Sequence, residues 1–397
     1  LRFNKPLLPY WCVAASYSIF GINPFASRLP FLLAGCGTIL ATYRLGKLVG
    51  ESEAAGRWAA LVAVGNLQIV LAATRSIPDI LLCLFTTISV WGVLSIAVYR
   101  RRNWQSFAAA YIGLGLAIAS KGVPAVIVVG SVTACALWYA GQLREIRQLL
   151  HWPTMTCGGL IAGGWFVAMY FLHGEAALSQ FAHDQVGTRF EAHIAGRLRN
   201  FALFWLWIAL AGLPWIIPLA VHGLRQRVRL VHLGRERQVV VVSLLAGVAV
   251  LALFTSFCNV VSSRYILPVV PIGASLLATA LAQQQAAVER TMRWILFAMC
   301  FGILALGIGL TAANIQTSHA LLAGCCAAAC TGLLSWLTWR YTIARVGCAA
   351  LDVGLVKLAA IALVGIGVFS LLWPDEGTLI VQQFQRIDAD SETVQLI

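Results

Sequence analysis

The chain is a succession of apolar runs, most of them close to twenty residues long, separated by short polar segments. Wound as a helix, a run of that length matches the hydrocarbon thickness of a bilayer. The pattern predicts twelve spanning helices, over 25–42, 57–72, 79–99, 107–120, 123–140, 155–171, 201–221, 239–257, 265–282, 294–313, 321–339 and 349–373. The shorter ones require tilt or a break. The stretch 7–20 is too short to span with ease and stops at Gly21 and Asn23-Pro24, which predicts a helix lying at the membrane surface. In the longest loop, Val186, Phe190, Ile194 and Leu198 recur every four residues beside Arg189, His193 and Arg197. That spacing predicts a second amphipathic surface helix, apolar face in lipid and basic face along the headgroups.

Composition agrees with the pattern. Of 397 residues 60% are hydrophobic and 11% charged, with a mean hydropathy of +0.83, too little charge to cover a soluble protein of this size. The fold class is therefore all-α, a polytopic integral membrane protein. The net charge of +13 raises nucleic acid as a partner, and the placement of the basic residues removes it. Alternating the spans puts seventeen of the 28 Lys and Arg on one face, against six acids, while the other face holds ten against nine. By the positive-inside rule the first face is cytoplasmic. Both chain ends then lie outside, and an outward start without Met or a signal segment predicts a further helix upstream of Leu1. Three regions follow: a transmembrane core over 1–282, C-terminal helices over 283–373, and an extracytoplasmic tail over 374–397.

The eleven cysteines sit almost all within apolar runs, with no CxxC pair, and Cys325, Cys326 and Cys330 lie among alanines as packing residues. No metal is assigned to them. The informative polar groups cluster at the outer helix ends. Lys5 precedes two prolines and the aromatics Tyr10 and Trp11, a setting that fits either a headgroup anchor or a phosphate contact. Asp79 follows Arg75 and Pro78 at a helix start, where it either complements the helix dipole or orients a sugar hydroxyl or a cation. Lys121-Gly122 interrupts the apolar stretch 107–140 and predicts a hairpin tip that presents a cation outward, sparing about 2.5–3.5 kcal/mol for a mid-membrane lysine. Arg264 and Tyr265 precede a segment with Pro268 and Pro271, and an arginine's planar fork suits phosphate.

In order along the chain, NKPLLPYW (4–11), INPFASRLPFLLAG (22–35), TRSIPDILLCLF (74–85), LAIASKGVPAVIV (116–128), HDQVGTRF (183–190) and SRYILPVVP (263–271) resemble one superfamily. It is the aminoarabinose transferase and protein O-mannosyltransferase group of GT-C glycosyltransferases, and the likeness covers roughly residues 1–282. The resemblance implies a bacterial inner-membrane enzyme with its site on the periplasmic face. Its donor would be a sugar linked to polyprenyl phosphate, and its acceptor lipid A, another lipid, a glycan or a protein hydroxyl, amid membrane lipids. It also implies donor-phosphate contacts at Lys5, Lys121, Arg189, Arg264 and Tyr265, with Asp79, Arg75, His183 and Phe190 as further site candidates. The family's KPP reads KPL here and its KGP reads KGVP. Its catalytic acidic pair on the first outer loop falls upstream of Leu1, so the catalytic group is unknown, with Asp79 as the alternative. No cofactor is assigned, and a divalent metal stays open.

Two other classes fit the same features. A homologue that binds polyprenyl phosphate without turnover would keep the cations and lack the base. A transporter or flippase of an anionic lipid would use intramembrane charge, and only Lys357 lies clearly within a span.

Overall fold

The structure is a computed structural model and describes residues 6–141, 143–185, 193–223, 234–259 and 262–283, with isolated positions beyond. The chain divides into two compact units, Leu1–Val288 and Glu289–Ile397, and the first contains all the elements described below. It is helical throughout its described part: α1 Leu8–Phe20, α2 Pro24–Gly50, α3 Glu53–Val64, α4 Leu67–Ala73, α5 Asp79–Ala97, α6 Trp104–Lys121 and α7 Val123–Tyr139. After a 3-10 helix, Leu143–Leu149, come α8 Trp152–Gln185, α9 Ile194–Gly212, α10 Ile216–Gly223 and α11 Arg235–Ser256. A second 3-10 helix, Ser263–Val269, leads into α12 Val270–Gln283. Each predicted span up to residue 282 coincides with a helix or a broken helix. The last three lie outside the described residues but for a few isolated positions in the first two of them. Six of the described helices, or seven counting one bent pair, are long and apolar enough to cross a membrane.

Local chemistry sets the helix starts. Asn23 caps α2 by accepting from Ala26 N at 2.8 Å, with Pro24 in the first turn where its missing N–H costs nothing. Ser52 does the same for α3, and Asn103 for α6. Burial decides the layers: the apolar window of α5 is 78% buried, against 17% for α8 and 11% for α9. Thus α5 is central, packed against α2, α6 and α7, while α8 and α9 turn Leu160, Phe171, Leu198 and Leu206 outward. With no water in the bilayer core to drive helices together, close approach depends on small residues. Gly46 meets Ala59 where α2 crosses α3, Gly92 meets the backbone at Ala110 where α5 crosses α6, and Gly115 meets Gly158 where α6 crosses α8.

Two predicted helices differ from the structure. The span 57–72 is broken into α3 and α4, bent by 63°. Asn66 explains the break: buried at the bend, it accepts from Gln68 N and Ile69 N to start α4, and its amide donates to Ala211 O at 3.0 Å. The side chain thereby satisfies orphan backbone groups that an unbroken helix would satisfy itself. Asn66→Ala is expected to cost about 2 kcal/mol, at the upper end for a lost cap because the bond to Ala211 goes as well; denaturant unfolding in detergent measures it. The span 201–221 divides at Leu213 and Pro214, because proline offers no N–H to continue α9. The four-residue repeat 186–198 falls only partly on described residues. Residues 194–198 are the first turn of α9, α8 continues past a bend at Gly174 (φ 74) to Gln185, and 186–192 lie outside the described residues.

The two ends of the bundle have different chemistry. At one, Tyr99 Oη donates to Leu48 O at 2.9 Å and to Glu51 Oε1 at 3.2 Å, Arg102 donates to Gln148 at 2.8 Å, and Tyr43 and Lys47 both hold Glu53. Burial, and then the Glu51 charge, push the Tyr99 phenol up, so it stays a donor. Arg44, Arg57, Arg100 and Arg101 belong to the same helix ends. At the other end, Ser76 Oγ donates to Ser27 O at 2.9 Å, tying the turn between α4 and α5 to the start of α2. This is the arrangement that alternating spans require.

Candidate functional site

At that second end, two helix termini and the 3-10 helix Ser263–Val269 converge. Asp79 opens α5 directly after Pro78, and its side chain is turned into the bundle and buried. Forty-two residues later, α6 ends on Lys121; Gly122, at φ 83, reverses the chain, and Val123-Pro124 starts α7. A positive φ at this point favours glycine because any Cβ would strain it. Lys121 Nζ is ion-paired with Asp79 Oδ1, the two side chains being 14% and 4% exposed. The predicted hairpin tip is present, but its cation does not point outward: it faces inward, because the buried carboxylate of α5 lies within its reach. The same ammonium stands 5.2 Å from the centroid of the Tyr265 ring. Cation–π attraction of this kind contributes about 0.5–2 kcal/mol, more as water is removed.

The Tyr265 segment is a 3-10 helix for a sequence reason. Pro268 and Pro271 have no N–H, so regular α-helical bonding cannot run through the segment. Shorter bonds take over, from Tyr265 N to Ser262 O at 2.9 Å and from Val270 N to Ile266 O and Leu267 O. Leu267 O also accepts from the buried thiol of Cys83 at 3.0 Å, one turn along α5 from Asp79. Tyr265 is half-buried against Lys121, while Arg264 is exposed beside it.

The structure therefore brings Asp79, Lys121 and Tyr265 together, with Arg264 adjacent in sequence. Arg75 is exposed in the turn before α5, next to Ser76. Lys5, Arg189 and Phe190 lie outside the described residues, and His183 falls on α8 with its side chain likewise outside them. Two further residues emerge that the motifs alone did not single out. Arg28 is exposed one residue past the Ser27 carbonyl that Ser76 grips, and Cys83 holds the 3-10 helix. Both sit inside motif segments, and for Cys83 the tertiary contact supplies the role. Among the described residues, no three His, Cys, Asp or Glu side chains converge to hold a metal ion.

Chemically, the cluster is a lysine held by a carboxylate in an apolar bundle end. An ammonium has three N–H groups. One meets Asp79 and the positive face of the group lies over the Tyr265 ring, which leaves donor capacity for an anionic oxygen. In a low-dielectric setting such a contact is worth more than it would be in water.

Residues 4–179 match the family model described as dolichyl-phosphate-mannose-protein mannosyltransferase. Two proteins of Aquifex aeolicus (strain VF5), each named only "Uncharacterized protein", are similar over less than half of the chain. One is 26% identical over 186 residues, covering 47% of this chain and 37% of its own length. The other is 27% identical over 173 residues, covering 44% and 38%. The chain thus spans under two fifths of the length of these relatives. Among solved structures, the crystal structure of ArnT from Cupriavidus metallidurans bound to undecaprenyl phosphate superposes with a TM-score of 0.68 at 17% identity, over 93% of this chain and 68% of that one. Its apo state gives 0.68 at 16% identity, over 92% and 66%. At such identity the likeness establishes the fold. The resemblance read from the motifs is borne out: this is a multi-pass membrane protein with the GT-C fold of the ArnT-like and protein mannosyltransferase group.

Proposed function

We propose that this chain, with the GT-C fold of the ArnT-like group as premise, forms the core of a membrane glycosyltransferase. It takes a sugar from a polyprenyl-phosphate-linked donor and passes it to a hydroxyl of lipid A, another lipid, a glycan or a protein. The observation that carries the reading is the Asp79, Lys121 and Tyr265 cluster at one end of an apolar bundle. A lipid-linked phosphate has its anionic group at the membrane boundary and its polyprenyl chain in hydrocarbon, and a cation at a helix end matches that division. The ArnT crystal structure with undecaprenyl phosphate is consistent with a ligand of this kind.

In this reading, glycosyl transfer needs two things from the protein. The departing phosphate gains negative charge, and fixed cations must be in place to receive it. Lys121 serves there, with Lys5, Arg189 and Arg264 as further phosphate ligands and Tyr265 seating the ammonium. The acceptor hydroxyl must also lose a proton to a base. Asp79 is a poor choice for that task, since its carboxylate is buried and occupied by Lys121. Its role is to fix the lysine rather than to take the proton. The basic end of the bundle faces the cytoplasm of a bacterial inner membrane, and the cluster faces the periplasm.

Release of polyprenyl phosphate from a lipid-linked sugar by the complete native protein in nanodiscs is the direct test. Turnover is expected for the wild type. Lys5→Ala and Arg264→Ala are each expected to raise the donor KM about tenfold or more, the loss of one charge-assisted contact of roughly 1.5–3 kcal/mol. Donor binding without any release would overturn the transferase reading in favour of a lipid-phosphate-binding homologue. Movement of an anionic lipid across the membrane that depends on Lys357 would overturn it in favour of transport.

A further inference from the structure

The segment carrying Arg264 and Tyr265 has little internal support. Pro268 and Pro271 remove two backbone donors from it and from the start of α12, so fewer main-chain bonds hold it than an α-helix would supply. Two buried side chains from other helices grip the main chain on either side of it. On the far side, the Cys83 thiol of α5 donates to Leu267 O at 3.0 Å. That carbonyl already accepts from Val270 N, and the Cys83 thiol is a second donor where an α-helix would have the N–H of residue 271, which proline lacks. On the near side, the Asn200 amide of α9 donates to Cys258 O at 2.5 Å, just past the end of α11. Asn200 is 1% exposed, and the Arg197 guanidinium, one turn before it, lies 4.9 Å from the centroid of the Phe257 ring next to that carbonyl.

We propose that Cys83 and Asn200 are positioning residues: a pair of clamps that hold the Arg264–Tyr265 segment against Lys121 and so set the geometry of the phosphate-binding cluster. The inference rests on the transferase reading for its effect on the donor, and on the two hydrogen bonds for its effect on the segment. Cys83 closes a circuit of contacts. From Asp79 it runs to Lys121 on α6, to the Tyr265 ring, to the Leu267 carbonyl and back to α5 one turn from its start. Asn200 ties Cys258, which precedes the segment in the chain, to α9, the helix that follows Arg189 and Phe190 in sequence. A shift of the clamped segment moves Tyr265 away from the ammonium without touching the donor directly. Positional errors of about an ångström in a supporting residue are enough to cost on the order of a hundredfold in a reaction that depends on orientation.

The experiment uses the complete native protein in nanodiscs with two readouts on the same variants. Cys83→Ala and Asn200→Asp each remove one donor; Cys83→Ser keeps a donor of similar size and serves as the rescue. Hydrogen–deuterium exchange is expected to rise in the peptide covering 262–271 for Cys83→Ala and Asn200→Asp, with α5 and α6 unchanged, and to stay near wild type for Cys83→Ser. With a polyprenyl-phosphate-linked sugar as probe, the donor KM is expected to rise tenfold or more in the first two variants, kcat to fall less, and Cys83→Ser to recover most of the loss. Unchanged exchange over 262–271 in a folded Cys83→Ala or Asn200→Asp protein overturns the clamp. So does a variant that only melts earlier while its KM stays at the wild-type value. A wild-type protein that neither binds nor consumes the donor sinks the transferase reading instead, and the exchange data still decide whether the two side chains hold the segment.

Discussion

Lys121→Met is expected to destabilise the protein by about 3–5 kcal/mol and to abolish measurable use of the donor. The stability loss comes from Asp79, whose side chain, 4% exposed, is left as a buried charge with no partner. Asp79→Asn is expected to cost less, because Lys121 is the more exposed member of the pair at 14% and its long stem can carry the ammonium toward water. Its cost to activity remains large, since the lysine then loses the group that fixes it. The double variant Lys121→Met with Asp79→Leu separates the two effects. Replacing both partners of a buried pair with apolar groups is often close to neutral for stability, so the double variant should unfold near the wild-type midpoint while donor use stays absent. A double-mutant cycle on unfolding midpoints in detergent, paired with a donor-release assay, measures both. A double variant that regains activity would show that Lys121 acts only as a structural counter-ion.

The second large effect is expected at the crossing of α6 and α8. A Cβ built on Gly158 would run into the carbonyl group of Tyr111, and one on Gly115 into the backbone of Gly158. Both obstacles are main chain, which no side-chain rotation can clear. Gly158→Val should therefore force the helices apart and cost on the order of 3 kcal/mol, the upper end for overpacking a tight core. Because α8 packs mainly against α6, the variant should detach α8 while α5 and α7 keep their partners. Gly159, one residue on, has open space at the same test position. Gly159→Val should change stability by no more than the few tenths of a kcal/mol typical of a non-packed site. Proteolysis across 141–151 in nanodiscs, compared between the two variants, reads the difference: if both are equally resistant, the glycine contact does not hold α8 in place.

The sequence by itself determined the class of this protein and, among the described residues, the position of nearly every span. Apolar runs of the right length are a local property, and a bilayer permits helices for such runs because no water is present to satisfy their backbone groups otherwise. The alternation of charged ends was legible for the same reason, as was the hairpin at Lys121-Gly122, where a lysine and a glycine interrupt an apolar stretch. The outer motifs, read in order, indicated the fold group before any contact was known. What only the tertiary structure decided were matters of partnership. Nothing near Asp79 or Lys121 says that each is the other's counter-ion, for they are separated by 42 residues and meet only because α5 and α6 run antiparallel side by side. The bend at Asn66 depends on an acceptor at Ala211, 145 residues away. Cys83 reads as one more packing cysteine until its thiol is seen to donate to the Leu267 carbonyl, 184 residues away. Apolar periodicity fixes where a helix runs, but it does not mark the few buried polar atoms whose hydrogen bonds must be completed from another part of the chain.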